Sequence, residues 1–251
     1  MNITPHILPL GPLDAAAVAV LFAAYFGIGW RIEAPVGRPS VSIIMARYRH
    51  EWMAQFVIRG HRIFDAAILQ NLRDGTAFFA STCLLAIGGL LALVGNPAPL
   101  EMAAARLPRA DAALASDPLV WQVKLLVPVV FLTSAFLRFV WANRLFGYFS
   151  VLIGSVPMPV EEGPAEPTPA ARHRATQAAR INVRAAVNFN RGLRAIYFAL
   201  TALAWLLGPW ALGGATAITL LLLYSREFRS LSRDILADDP PPLPPKFEPK
   251  G

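Results

Sequence analysis

Nineteen consecutive residues, Ala77 to Gly95 (AFFASTCLLAIGGLLALVG), contain no charge. As a helix rising 1.5 Å per residue they reach about 29 Å, close to the roughly 30 Å hydrocarbon core of a bilayer. A chain can cross hydrocarbon only if its backbone groups bond to one another, and a helix does this within a single segment. The block therefore predicts a membrane-spanning helix. Other apolar blocks follow the same logic. Ala15 to Trp30 is short, but Asp14 and the residues before it bring it to length, so we set a first span at 14–30. Leu119 to Leu137 is a third span, 119–137, and holds Lys124 and Pro128. The chain is 55% hydrophobic and only 16% charged, against about 25% charged in a typical soluble domain. An ordinary water-soluble globule is excluded. The predicted fold is all-α, a polytopic transmembrane helical bundle with two long cytoplasmic or interfacial helices.

The last block, Ala195 to Tyr224, holds Gly208-Pro209 near its middle, a strong turn signal. Thirty helical residues reach about 45 Å, long for one span and short for two. Basic residues arbitrate, because they collect in cytoplasmic loops. Seven arginines lie in 31–76, eight in 138–194, and five Lys or Arg follow Tyr224. Only Arg106 and Arg109 lie in 96–118, and none precedes Leu13. A hairpin with arms 195–207 and 210–224 places 20 charges against two. A single crossing places 15 against seven. We therefore expect five segments, with four as the alternative. Residues 1–13 and 96–118 are then extracytoplasmic, and 31–76, 138–194 and 225–251 cytoplasmic. The expected location is the inner membrane, with the N-terminus outside and the C-terminus inside. The start lacks the basic residues of a signal peptide, so the first span is expected to be retained. The net charge of +7 follows orientation, and without a binding motif it excludes a nucleic-acid role.

Two cytoplasmic stretches read as helices. In Ser40 to Asp74, Ile44, Met45, Tyr48, Trp52, Phe56, Ile63 and Ala67 recur at mostly three- and four-residue spacing, an apolar stripe. Arg47, Arg49, His50, Glu51, Arg59 and Arg62 lie off it. A basic helix with Trp on the other face suits an interface, so these residues and Trp52 are candidate helix contacts. The end of this stretch runs into the second span without a break. In Thr168 to Arg194, Arg172, Thr176, Arg180, Arg184 and Asn188 recur every four residues, and Arg191 and Arg194 extend that stripe. Arg138, Arg144 and Asn190 join Arg180, Arg184, Asn188, Arg191, Arg194 and Lys124 as candidate contacts for anions or lipid headgroups. A Pro/Glu-rich linker (Val156 to Ala170) precedes the second helix, and a Pro-rich tail containing PPPLPP ends the chain.

RYRHEWM (47–53), ILQNL and FFAST (68–82), NFNRGLRAIYFAL (188–200), and LLGPW with REF (206–228) together resemble the DUF599 family of uncharacterised bacterial and plant membrane proteins. The resemblance implies a polytopic membrane protein with no established activity. It assigns no catalytic residue.

The residues themselves offer no catalytic motif. His50-Glu51 opens like a zinc-protease H-E-x-x-H, but Ala54 stands where the second histidine is needed. No phosphate-binding glycine loop or nucleophile elbow occurs. His61 and Asp65 are four apart and are expected to form a surface or capping pair. The lone cysteine, Cys83, reads as a small buried hydrophobe. No enzymatic activity and no cofactor or metal are expected. Lys124 lies about 9 Å into its span: it either snorkels to the headgroups or lines a pathway. Small residues concentrate in two spans, as Ala77, Ala80, Ser81, Ala86, Gly88 and Gly89, and as Gly213, Gly214 and Ala217. They let helices approach closely, within a protomer or between copies. The leading function is a non-catalytic accessory or structural subunit, because no span carries the paired charges of a coupled transporter. Its partners would be anionic lipid headgroups, a second copy or another membrane protein. The alternative is a homo-oligomeric channel or transporter with Lys124 and the 180–194 stripe contacting anions.

Overall fold

A computed structural model of the chain describes residues 10–104, 118–158 and 167–238. The elements are α1 (Pro12–Glu33), α2 (Val41–Phe56), α3 (Ile63–Gly95), α4 (Ala98–Ala104), α5 (Pro118–Gly154), α6 (Pro169–Leu203), a 3₁₀ turn (Ala204–Leu207), α7 (Pro209–Phe228) and α8 (Leu231–Ala237). No strand occurs among the described residues, so the all-α expectation holds. Most of 96–118 and of the Pro/Glu-rich linker, the first nine residues and the Pro-rich tail from 239 lie outside them.

Local signals set the ends. Pro12 opens α1, where a missing N–H costs nothing. Ala34 is extended, as the residue before Pro35 is required to be, and α1 stops there. Ser40 caps α2 by accepting from the Ile43 N–H, and its hydroxyl donates to the Ile32 carbonyl at 2.7 Å. One serine thus starts α2 and ties it to the end of α1. Thr168 caps α6 in the same way. Gly208, with φ 113°, adopts a backbone that side chains disfavour, and the chain reverses there.

Helices α1, α3 and α5 are each long and apolar enough to cross a membrane. The reversal at Gly208 makes α6 and α7 antiparallel: the Thr201 and Thr219 hydroxyls meet at 2.6 Å, and further from the turn Arg226 donates to the Tyr197 hydroxyl at 3.3 Å. Helix α7 lies along α1 in the same direction. Asp14 meets Trp205 at one end, and Arg31 covers the Phe228 ring at the other, 4.4 Å from its centroid.

The 37 residues of α5 and the 35 of α6 are about 55 and 52 Å long, well beyond the hydrocarbon thickness. They pack antiparallel and build two cores. The first joins α1, α3, α5, α6 and α7 around Leu21, Tyr25, Phe131, Phe139, Phe198, Trp205 and Leu212, with Cys83 buried among them. The second joins α2 and the start of α3 to the far halves of α5 and α6, around Met53, Phe56, Phe146, Phe149, Ala175 and Ala178. Gly192 leaves room for the Phe139 ring between α5 and α6. A Cβ there would sit 2.8 Å from the Phe139 ring, which itself stacks on Phe79 and meets Phe189 edge-on.

Three expectations change. The stretch 40–74 is two helices, not one: α2 ends at Phe56 and residues 57–62 form an elbow. The apolar stripe therefore stops at Phe56, and Ile63 is 83% exposed. Tertiary contacts hold the bend, and these are invisible to periodicity. Asp65, fully buried, accepts from the Trp52 indole at 2.5 Å and from Arg59 at 3.0 Å; the expected partner, His61, is exposed. Second, α6 runs unbroken from its Arg-rich part into its apolar part, and α5 continues through Arg138 and Arg144, so each helix extends beyond the apolar segment expected within it. Third, the small residues divide: Ala80 and Ala86 pack against the first core, and the others face away from it. Ala77, Ser81, Gly88, Gly89, Gly214 and Ala217 are exposed, and Gly213 is half-buried, with no neighbour within 4 Å of a Cβ at any of the four glycines. The glycines that do allow close approach are Gly29 and Gly192.

Replacing Asp65 by Ala should strand the Trp52 indole N–H. The expected cost is about 1–3 kcal/mol, read as a lower midpoint of thermal unfolding in detergent. An unchanged midpoint would show that something else holds the elbow.

Candidate functional site

The two cores meet at a polar junction built from α1, α2, α6 and α7. Glu33, the last residue of α1, accepts from Arg191 through both Nε, at 2.9 Å, and Nη2. Arg194, one turn along α6, donates to the same carboxylate at 2.9 Å. The Arg194 side chain is 8% exposed and lies flat against Gly29, where a Cβ would come within 3.2 Å of the guanidinium. Gly29 sits one turn before Glu33 on the same face of α1, so its missing side chain is what admits the arginine.

Beside this triad, Glu227 near the end of α7 accepts from the Ser42 N–H at 3.1 Å and its hydroxyl at 3.3 Å. Asn190 donates to the same hydroxyl at 3.3 Å. These groups line a cavity of about 230 Å³ together with Arg49, Val183 and Val187. Arg49 donates to Asn182 at 2.6 Å. Asn182 is fully buried, and its amide nitrogen has no partner. Burial pushes the Arg49 guanidinium below its ordinary basicity, but a guanidinium keeps its charge in proteins. The cavity therefore offers a carboxylate on one wall and a cation on another. That arrangement binds or orients polar groups. Among the described residues, no three His, Cys, Asp or Glu side chains converge as metal ligands would.

A second polar cluster closes the opposite end. Asp14, 9% exposed, accepts from the buried Trp205 indole at 2.6 Å. Lys124 sits 5.8 Å from the Trp121 and Trp205 ring centroids alike, within cation–π range. Asp14 and Glu33 are about 29 Å apart along α1. Between the clusters, Phe22, Tyr25, Phe131 and Phe198 pack with centroids 5.0 to 5.3 Å apart in successive pairs. Lys124 and the 180–194 stripe are thus at opposite ends, with an aromatic core between them.

The other sequence candidates divide by where the second core places them. Arg180 and Arg184 are exposed on α6, and Asn188 donates to the Arg184 carbonyl at 2.9 Å. Arg138 is half-buried, and Arg144 donates to Tyr148 at 2.7 Å. On α2, Arg47 and Glu51 form an exposed pair at 3.5 Å, worth little in water. His50 borders an open cavity of about 300 Å³ against Arg172 and Thr176. Arg62 folds back over the Phe56 ring at 4.3 Å and donates to the Val156 and Pro157 carbonyls. The residues that organise both clusters, Glu33, Asp14, Trp205, Asn182 and Glu227, were not among the candidates. A lone acid at each end of an apolar block was the signal available for Asp14 and Glu33.

Long apolar helices, two charge clusters at the ends of one span and a helical extension beyond define a polytopic helical membrane protein. A family model described as a protein of unknown function, DUF599, matches residues 16–232, and the chain belongs to that family. Comparison with curated proteins and with solved structures finds no match.

Proposed function

We propose that this is a five-span protein of the cytoplasmic (inner) membrane, N-terminus outside and C-terminus inside, acting as a non-catalytic accessory or structural subunit. One observation carries the reading. Along α6, Ala171, Ala175, Ala178, Ala179, Asn182 and Ala185 are buried, while Arg180 and Arg184 are exposed on the opposite side and Arg172 and Thr176 are exposed at its flank. The same helix continues without a break into the apolar bundle. A basic face is thereby held rigidly at a fixed height against the membrane, as docking to anionic headgroups or an acidic partner requires. The exposed small residues of α3 offer a second copy a surface for close packing.

Arg180→Ala with Arg184→Ala is expected to weaken binding of the detergent-solubilised protein to phosphatidylglycerol vesicles by about tenfold or more, since each basic residue near an anionic surface contributes about 1 kcal/mol. Unchanged binding in the double variant would remove the basic face from the function. A reporter fused after Phe228 should read as cytoplasmic, and a periplasmic signal would restore four spans.

A channel or transporter is the second reading. The tertiary structure does bring opposite charges from different helices together, Asp14 near Lys124 and Glu33 with Arg194, which no single helix displays. The aromatic core between the clusters weighs against a path through one protomer, so such a path would run between copies. A Lys124-dependent anion flux in liposomes would decide for it.

A further inference from the structure

The α6–α7 hairpin leaves a groove on its outer face, and we infer that it holds one acyl chain of an anionic phospholipid from the cytoplasm-facing leaflet, with the headgroup against Arg226. The groove encloses about 330 Å³ between Tyr197, Leu200, Ala215, Ile218, Leu222 and Arg226. Its walls are greasy and open: Leu200, Ile218 and Leu222 are each more than half exposed. The two threonines on its floor offer a ligand little, because the Thr201 and Thr219 hydroxyls bond to each other and Thr201 also donates to the Tyr197 carbonyl.

Length and charge select the occupant. From Ala215 to Arg226 the groove runs about 17 Å, close to half of a hydrocarbon core of about 30 Å, which is the depth of one leaflet. Its only charged lining residue, Arg226, stands at the same end as Glu33 and Phe228. Its guanidinium is exposed and bonded to the Tyr197 hydroxyl at 3.3 Å, and Arg229 lies one turn further on, against Tyr224. An apolar slot one leaflet deep that ends at a cation matches a chain with a phosphate head. A helix from a second copy would span both leaflets, about twice the length of this groove.

The inference rests on the proposed membrane placement of the hairpin, and the experiment separates the two. The full-length protein in mild detergent is supplied with phosphatidylglycerol or phosphatidylcholine of identical acyl chains, and retained lipid is counted by native mass spectrometry. Phosphatidylglycerol should be retained about fivefold better, the factor that about 1 kcal/mol for one basic residue corresponds to. Arg226→Gln, at an exposed position, should bring the ratio close to one. Ala215→Trp, filling the far end, should reduce retention of both lipids at an unchanged melting midpoint. Equal retention by the unaltered protein, or a preference that survives Arg226→Gln, overturns the inference. So does a dimer that Ala215→Trp dissociates while lipid retention stays the same. If the preference is absent while the reporter after Phe228 is cytoplasmic, the groove alone fails. If the reporter is periplasmic, the membrane placement fails with it.

Discussion

Glu33→Gln is expected to destabilise the protein by about 3 kcal/mol, the largest effect of any single polar change. Glu33 is the shared partner of Arg191 and Arg194, and removing one partner of a buried pair leaves an uncompensated charge at about 3–5 kcal/mol. The lower end applies because the Glu33 side chain keeps 29% exposure, whereas Arg194 keeps 8%. Arg194 has no route out, since it is wedged against Gly29. Adding Arg194→Met to Glu33→Gln removes the stranded charge and should recover most of the loss, because the two sites share one interaction and their effects do not add. The measurement is the midpoint of thermal unfolding in detergent, followed by loss of the monodisperse peak. A double variant as unstable as the sum of its singles would show that the triad is not the coupling we describe.

Phe139→Ala should cost about 3–5 kcal/mol, as deleting a fully buried aromatic ring does. Phe139 has no exposed surface and fills the only space that Gly192 leaves between α5 and α6. The two positions are complementary, so their changes should interact with a reversal of sign. Gly192→Ala in the native background places a methyl group 2.8 Å from the ring. The ring is held by Phe79 and Phe189, so the added group overpacks the contact at about 1–3 kcal/mol, against which the better helix propensity of Ala returns about 1 kcal/mol. In the Phe139→Ala background the clash is gone and the same substitution should stabilise. If Gly192→Ala destabilises both backgrounds equally, helix contact at this level is set by something other than the glycine.

Much of the architecture was legible in the chain. The uncharged run 77–95 predicted the apolar half of α3, the block after Pro118 predicted the first half of α5, and Gly208-Pro209 predicted the reversal between α6 and α7. Each of these is local: an apolar run, a missing N–H or a backbone that only glycine takes freely. The Arg-rich half of α6 was legible as a helix with a polar stripe, because a period near four survives whatever packs on the other face.

The elbow at 57–62 was not legible, since the apolar stripe runs through it and only Asp65, clasped by Trp52 and Arg59, shows why the chain bends. The site was legible in part. Arg191, Arg194 and Lys124 stood out as charges beside or within apolar segments, but their partners Glu33 and Asp14 lie more than a hundred residues away. What the sequence by itself determined is the apolar character of the long spanning helices and the gathering of basic residues into three stretches of the chain. Which charges face one another was decided by the tertiary structure. Pairing depends on the direction and register of α1 against α5, α6 and α7, which Gly29, Gly192 and the aromatic core set through contacts that no stretch of chain contains alone.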